Sequence, residues 1–267
     1  EAIEASSDGD TVHICEGTWT LVEDPDDRDA RGQAVKENVT VDELLDGYLP
    51  DVPDGYGLAA NGCFFKKNKQ GFLPEIMERM YYDRVGYKEK MIAAQKEYEK
   101  TKSKQAAKDI SRYKNMQLAK KVQLNSAYGA LGNQYFRWFS FNNAEAITMS
   151  GQLSIRWIEK KMNEFMNKMC KTKNEDYVIA SDTDSIYVTF EKLIPDGSDE
   201  LRAVELIDKF CETKIQHYIN SCYDTLAGMM NAYQQKMQMK RETIANKGIW
   251  KAKKMYILNA WNVEGVQ

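Results

Sequence analysis

The 267-residue chain is 43% hydrophobic and 11% aromatic, which provides a core for one or two folded domains and excludes an intrinsically disordered chain. Its charge is unevenly distributed. Residues 1–60 hold 16 Asp or Glu against 3 Lys or Arg, a balance of −13, so the remainder carries +10 to reach the total of −3. An acidic first segment therefore precedes a basic body of the kind that binds phosphates.

The five cysteines include no CxxC pair, and no stretch has the pattern of a signal peptide or the length of an apolar membrane span. These features predict a reduced, cytoplasmic setting without a membrane partner. Cys211, His217 and Cys222 lack zinc-finger spacing and fall in a helical apolar pattern. We therefore interpret them as core packing rather than as a metal site.

The first segment, to about Tyr56, is rich in Asp, Gly and turn residues, so we expect irregular structure with a short helix at 41–47. The run GCFFKKNKQGFLP, residues 62–74, places two apolar pairs around KNKQG and predicts a β-hairpin. Pro74 then opens the first turn of a long, charged helix.

A second helix is predicted from about Ile110 to Asn125, after a break within residues 103–109. The two helices would form an αα-hairpin with a short polar tip.

Five polar residues of this hairpin fall on helix faces. Arg84 and Lys88 are spaced i, i+4 on the first helix, and Lys121, Asn125 and Tyr128 share a face of the second. Solvated surface charge explains either helix alone. Together, an antiparallel pair presenting three cations toward one side predicts a clamp for a polyphosphate.

The run VIASDTDSIYVTF, residues 178–190, follows a predicted scaffold helix at 144–169 and places two carboxylates between apolar strand residues. If the strands reverse at SDTDS, Asp182 and Asp184 project toward one point. Two neighbouring anions repel unless a cation shares them, and Mg²⁺ prefers such oxygen ligands. The alternative is an ordinary exposed Asx turn.

The tail is predicted to hold a long helix at 199–236 and then two strands around a turn at 246–248. A basic group here stands beside an aromatic residue: Lys251, Lys253, Lys254 and Tyr256. It predicts contacts with a nucleic-acid backbone, against the alternative of ordinary surface lysines.

The runs KVQLNSAYG, SDTDSIYV and KKMY, in this order, resemble the fingers motif, the second carboxylate motif and the duplex-binding motif of family B DNA polymerases. Over residues 62–265 the chain is most similar to the replicative enzymes of T-even-like bacteriophages. The resemblance implies an α+β fold, in which a polymerase palm sheet carries a two-helix fingers hairpin and the thumb and exonuclease domain are absent. It divides the chain into an acidic segment with a palm hairpin (1–73), fingers helices (74–130), and palm with a duplex-binding tail (131–267).

The resemblance also implies a reaction, template-directed transfer of deoxynucleotides to a primer 3′ hydroxyl. Asp182 and Asp184 would be the metal ligands for two Mg²⁺ ions, and Lys121 would act with them in catalysis. The incoming triphosphate would be held by three cations: Arg84, Lys88 and Lys121.

The remaining implied roles concern the base pair and the DNA. Asn125 and Tyr128 would line the pocket for the nascent base pair, and Gly129 would let the template approach closely. The primer duplex would be contacted by three residues of the tail: Lys253, Lys254 and Tyr256. The implied partners are primer–template DNA, deoxynucleoside triphosphates and a sliding clamp, in the cytoplasm of an infected bacterial host if the source is viral.

The sequence departs from the family pattern in several places. It has no DxxSLYP run, since YLPDVPD at 48–54 lacks the preceding Asp and Ser. Met255 replaces a usual Arg, and Ala180 and Ser181 stand where Tyr and Gly are common. We therefore expect a partial polymerase core without autonomous activity. Two alternatives stay open: a subunit of a split polymerase, whose partner chain carries the missing motif, and a noncatalytic nucleotide- or DNA-binding protein.

Overall fold

The computed structural model describes residues 36–68, 70–195, 197, 199–252 and 254–263. The predictions for residues 1–35 and for Lys253 lie outside the described residues. In the described part, the helices are α1 (Val41–Leu45), α2 (Phe72–Thr101), α3 (Lys104–Leu131), α4 (Phe141–Cys170), α5 (Glu200–Phe210) and α6 (Gln216–Met229). The strands are β1 (Tyr56–Leu58), β2 (Phe64–Lys66), β3 (Val178–Asp182), β4 (Ser185–Val188), β5 (Thr243–Ala252) and β6 (Met255–Val263).

Helix α4 is the centre of the main core. Its apolar residues recur at helical spacing, and Trp157, Ile158 and Met162 are buried among α1, α5, α6 and the strands around them. The Trp157 indole N–H donates to the Cys222 carbonyl at 2.9 Å, which fixes α4 against α6. The predicted scaffold helix is confirmed, with bounds a few residues wider.

The predicted hairpin at 62–74 has a different pairing from the one expected. β2 pairs antiparallel with β1 upstream, and Phe72 already begins α2, so KNKQG is not a hairpin turn. The reversal lies between Leu58 and Phe64, where Gly62 has φ +84°. A Cβ on Gly62 would lie 1.9 Å from the Glu37 carbonyl oxygen, so only glycine fits.

Helices α2 and α3 form the predicted αα-hairpin. The break is tighter and earlier than expected: Lys102 is left-handed with φ 51°, and Ser103 caps α3 by accepting from the Gln105 N–H. Pro74 lies in the first turn of α2, as predicted. The hairpin is observed, whereas its assignment as polymerase fingers stays a prediction.

The long helix predicted at 199–236 is interrupted and shorter. α5 and α6 are joined by a π-helical segment, Cys211–Ile215, and α6 ends at Met229. Cys211 and Cys222 are buried in the main core, which confirms packing for both, but His217 is exposed. Burial raises the pKa of the Cys211 thiol to about 11.

The tail forms the long hairpin β5–β6, but its turn was predicted in the wrong place. β5 continues through residues 246–248, and the chain reverses between Ala252 and Met255. Gly248 pairs with Leu258 in the strand ladder, and the site requires glycine because a Cβ would lie 2.5 Å from the Trp250 ring. Arg241 and Asn246 tie β5 to α5 through Asp208 and Glu200.

The described strands form three separate two-stranded antiparallel sheets among the helices. This mixed architecture of helices and small sheets confirms the predicted class at the coarse level. The palm assignment and the three-part domain division stay predictions. Within the described ranges, no helix combines the length and the apolarity that crossing a lipid bilayer requires.

Candidate active site

The two carboxylates lie at the tip of the β3–β4 hairpin, as predicted. Asp182 pairs with Ser185 across the ladder, so Thr183 and Asp184 form a two-residue turn. Both Asp182 and Asp184 are half-buried. The predicted reversal at SDTDS is therefore confirmed, and it brings the two carboxylates to one end of the sheet.

The turn is strained at Thr183. Its φ is +50°, an unfavourable conformation for a β-branched residue, and the Asp184 N–H donates to the Asp182 carbonyl oxygen with an N···O distance of 2.5 Å. Such residues cost of order 1–3 kcal/mol each and cluster at functional sites, where the surrounding structure maintains them. The strain is concentrated between the two carboxylates.

Helix α4 supplies that surrounding structure. The Asn163 side-chain oxygen accepts from the backbone N–H groups of Tyr177 and Val178, at 2.8 and 2.9 Å. Farther along β3, the Ser181 hydroxyl donates to Glu159 at 3.3 Å. The hairpin is thus positioned by side chains of the most deeply buried helix.

The hairpin offers a divalent cation two hard oxygen ligands, which is chemistry that fits Mg²⁺. Within the described residues, however, no group of three or more His, Cys, Asp or Glu side chains is arranged to hold a metal ion. Asp182 and Asp184 therefore fit a metal site as two of its ligands.

Two of the predicted cations adjoin an ion pair that joins the helices of the αα-hairpin. Lys120 and Asp83 form this ion pair of 2.8 Å between α3 and α2, and Lys121 and Arg84 are the next residues along each helix. Arg84 and Lys121 are only 7% and 9% exposed. Lys88 is half-buried one turn after Arg84. These positions do not fit ordinary surface charge, which is solvated.

Two polar atoms in this region lack hydrogen-bond partners. The Arg84 Nε and the Asn125 side-chain oxygen are buried without a partner, and Asn125 lies one turn after Lys121. Burial lowers the pKa of Arg84, although a guanidinium stays charged at neutral pH. Each buried unpaired group costs roughly 1–3 kcal/mol, so the arrangement suits a polar ligand that pairs with these atoms.

Tyr128 and Gly129 lie where α3 approaches α4. The Tyr128 hydroxyl and the Thr148 hydroxyl are 2.7 Å apart, which connects the two helices. Gly129 is half-buried in the last turn of α3.

The tail is brought to the carboxylate hairpin by an aromatic cluster of Tyr187, Trp250 and Tyr256. The Tyr187 ring centroid lies 5.4 Å from that of Trp250 and 5.4 Å from that of Tyr256, both edge to face. Lys254 is exposed at the turn of β5–β6 with φ 61°. Of the predicted DNA contacts, Tyr256 is therefore linked directly to β4.

The pKa of the Tyr187 hydroxyl is raised by burial and by groups of both hairpins. Burial is the main cause that raises its pKa, followed by hydrogen bonding to Tyr256 and by the Asp182 charge. The sequence analysis missed Tyr187 and Trp250. Part of the signal was in the sequence, because Tyr187 lies between Ile186 and Val188 in the motif strand. The pairing of Trp250 with Tyr256 is visible only in the observed β5–β6 register.

Comparison with known proteins identifies the family. The model of DNA polymerase family B matches residues 51–264, which is most of the chain. The chain belongs to DNA polymerase family B. It is 32% identical to the DNA-directed DNA polymerase of Enterobacteria phage T4 over 84% of its own length and 31% of that protein. It is also 32% identical to the corresponding polymerase of Escherichia phage RB69, over 80% of this chain and 30% of that protein.

A solved family B DNA polymerase, from Pyrobaculum calidifontis, is similar over 63% of this chain and 18% of its own, with 27% identity and a TM-score of 0.37. A TM-score of that size does not establish a shared fold, so the family assignment rests on the sequence matches. The chain spans about a third of the length of the phage relatives. The predicted membership of family B, with T-even-like relatives, is confirmed.

Proposed function

We propose that this chain supplies the nucleotide-binding helices and two metal-binding carboxylates of a template-directed DNA polymerase. The observation that carries the proposal is the inner face of the α2–α3 hairpin. There Arg84 and Lys121 are buried, and the Arg84 Nε and the Asn125 side-chain oxygen lack partners. In a member of this family, these groups suit a ligand that carries negative charge and polar atoms.

The cations of the hairpin bind the incoming triphosphate. Arg84 and Lys88 contact nonbridging oxygens from α2, and Lys121 contacts them from α3. As pyrophosphate leaves, Lys121 stabilises its developing charge and is the residue placed to protonate it. Asn125 and Tyr128 line the pocket for the nascent base pair, and Gly129 admits the template strand.

The carboxylate hairpin has a different role, which is metal binding. Asp182 and Asp184 would hold the metal ions, and the hairpin tip, fixed by α4, would keep their oxygens together. When bound, two Mg²⁺ ions supply positive charge to the attacking and leaving oxygens. Tyr256, packed on Tyr187, aligns the tail with this point, while Lys253 and Lys254 contact the phosphates of the primer duplex.

The partners of the assembled enzyme are part of the same proposal. They are primer–template DNA, deoxynucleoside triphosphates, a sliding clamp, and a second polypeptide that carries DxxSLYP if the enzyme is split. The sequence contains Asp182 and Asp184 but no DxxSLYP run, which supports a need for a further carboxylate. The site of action would be the cytoplasm of an infected bacterial cell.

The proposed triphosphate clamp is tested by measuring nucleotide affinity. Lys121→Ala in the 267-residue chain should weaken the affinity for a deoxynucleoside triphosphate with Mg²⁺ by about 10-fold or more, because it removes a charged hydrogen bond worth roughly 1.5–3 kcal/mol. Duplex DNA affinity should change little. Lys108→Ala, an exposed lysine of the same helix, is the matched control. Equal loss of triphosphate and duplex affinity in Lys121→Ala would contradict the assignment.

A further inference from the structure

A cavity lies among the β1–β2 hairpin, α4, α6 and the segment 232–237, and none of the predicted site residues lines it. With the open space at its mouth, the cavity has a volume of about 670 Å³. Six buried hydrophobic residues line it: Leu58, Phe65, Leu153, Tyr223, Leu226 and Met230. A concave, mainly apolar lining of this kind is typical of small-molecule sites.

Hydrogen bonds hold the walls of the cavity in place. The Leu58 N–H donates to the Met230 carbonyl at 2.9 Å, which joins β1 to the residue that follows α6. The Asn231 side chain donates to the Tyr56 carbonyl and accepts from the Lys67 ammonium, both at 2.7 Å. Because the walls are ordered before a ligand arrives, binding costs less conformational entropy.

The segment 232–237 forms part of the wall and is held near both ends. The Ala232 N–H donates to the Ala227 carbonyl at 2.8 Å, and Lys236 forms an ion pair with Glu78 of α2. Lys67, the other lysine of the lining, is paired as well. Since both lysines of the wall already have partners, the cavity favours an uncharged occupant.

One polar atom of the lining lacks a hydrogen-bond partner. Gln235 lines the cavity, and its side-chain oxygen is buried without a donor. An unsatisfied buried carbonyl is unfavourable, whereas a ligand with an N–H group would supply the missing donor.

The other side chains of the lining favour an aromatic ring. Phe65 and Tyr223 contribute rings, and Met230 and Met237 contribute thioethers. Aromatic side chains pack favourably on other rings, and methionine sulfur makes favourable contacts with ring edges. A single ring suits a volume that includes the open mouth.

We propose that this cavity binds a neutral, single-ring aromatic molecule that carries an N–H donor. The ring packs against the apolar lining beside Met230 and Met237, and the donor pairs with the Gln235 side-chain oxygen. The site is separate from the proposed triphosphate clamp and from the carboxylate hairpin, since no residue of either lines the cavity. Its occupant adjoins Lys236, which ties this wall to α2 through Glu78.

NMR of methionine methyl groups tests the proposal and locates the ligand. The probe is aniline, which is uncharged at neutral pH, and toluene is its analogue of the same shape without a donor. In the 267-residue chain labelled with ¹³C at the methionine methyls, aniline should shift the Met230 and Met237 signals. The dissociation constant should be about 1 mM or below. The signal of Met169, an exposed methionine of α4, should not shift.

Two variants separate the shape of the cavity from its hydrogen bond. Ala227→Phe fills the cavity and should abolish the response to both compounds, whereas Ala119→Phe, at an exposed alanine of α3, is the matched control. Gln235→Leu removes the acceptor, so it should weaken aniline by about 2-fold to 12-fold and should not weaken toluene.

Several outcomes would overturn the proposal. One is that aniline, at about ten times the expected dissociation constant, shifts the Met230 and Met237 signals no more than that of Met169. Another is that the two Phe variants respond alike, or that Gln235→Leu changes the affinities for aniline and toluene equally. A response that disappears when a polypeptide carrying DxxSLYP is added would mean that protein fills the cavity. The measurement contains no nucleotide and no metal, so its outcome is independent of the triphosphate clamp.

Discussion

Helices α2 and α4 have the same length, 30 residues, but they bury different kinds of residue. α4 buries an apolar stripe that includes Leu153, Trp157 and Met162, whereas the buried residues of α2 are Arg84 and Ala94. Burial of apolar area stabilises α4 at about 25 cal/mol per Å². The α2–α3 hairpin gains little from that source and buries cations instead. The comparison teaches that α4 stabilises the fold by apolar burial, whereas the α2–α3 hairpin buries charged groups that such burial does not explain.

The largest expected effect concerns the carboxylates of the β3–β4 hairpin, which α4 positions. The isolated chain should extend a primer undetectably, because its sequence has no DxxSLYP run to supply a further metal-binding carboxylate. Adding a polypeptide that carries DxxSLYP should restore extension, and Asp184→Asn should abolish the restored activity. Incorporation of a labelled deoxynucleotide measures both. Strong extension by the isolated chain would show that the further carboxylate lies within these 267 residues.

Stability should differ sharply between the two regions. Trp157→Ala removes a buried indole and its hydrogen bond to Cys222, so it should lower the free energy of unfolding by about 3–5 kcal/mol. Leu118→Ala changes an exposed leucine of α3 and should alter that free energy by less than about 0.5 kcal/mol. Urea denaturation measures both variants. Similar losses would mean that the hairpin is as important to the fold as α4.

How well the sequence predicts these regions depends on how far apart in the chain the interacting residues lie. The SDTDS reversal follows from residues next to one another, and so does the Ser103 cap, although the predicted break fell later. β2 could pair with a segment before it or after it in the chain. The sequence pattern favoured the later segment, but β2 pairs with β1. The β5–β6 turn was misplaced because Asn246–Gly248 resembles a turn, while the packing of Gly248 against Trp250 is visible only in the fold.

The candidate site also combines features that the sequence predicts with features that only the structure shows. Helical spacing predicted that Lys121 and Asn125 share a face of α3, and the predicted pairing of α2 with α3 is observed. Nothing in the sequence indicated that these groups would be buried, because charged residues are usually exposed. The link between Tyr187 and Tyr256 joins segments far apart in the chain and required the three-dimensional structure.

A third region, the β5–β6 hairpin, exposes Lys247, Lys251 and Lys254, whereas the α2–α3 hairpin buries Arg84 and Lys121. Lys253→Ala with Lys254→Ala should reduce duplex binding without regard to sequence, since phosphate contacts act through counterion release. The log–log salt slope should become shallower by about 0.9 for each phosphate that the variant no longer neutralises. Fluorescence anisotropy at several salt concentrations measures the slope, with Lys173→Ala as the exposed control. An unchanged slope would count against a DNA role for the tail.

The smallest expected effect is on alkaline stability, and it tests the contact between the tail and the carboxylate hairpin. The pKa of Tyr187 is raised in the folded chain, so ionisation favours the unfolded state. Its contribution is constant below the unfolded value of about 10, and stability falls as the pH rises above it. Tyr187→Phe should therefore flatten the loss of melting temperature above about pH 10. An identical alkaline slope in both proteins would mean that the hydroxyl is not held between the hairpins.

The central claim is that the buried polar face of the α2–α3 hairpin binds the triphosphate. Hydrogen exchange of the 267-residue chain, with and without a deoxynucleoside triphosphate and Mg²⁺, tests it most directly. Amide exchange should slow around residues 84–88 and 121–125, while the segment 153–166 of α4, already protected by the core, should not change. Unchanged exchange in the hairpin at saturating triphosphate, or protection confined to β5–β6, would contradict the account.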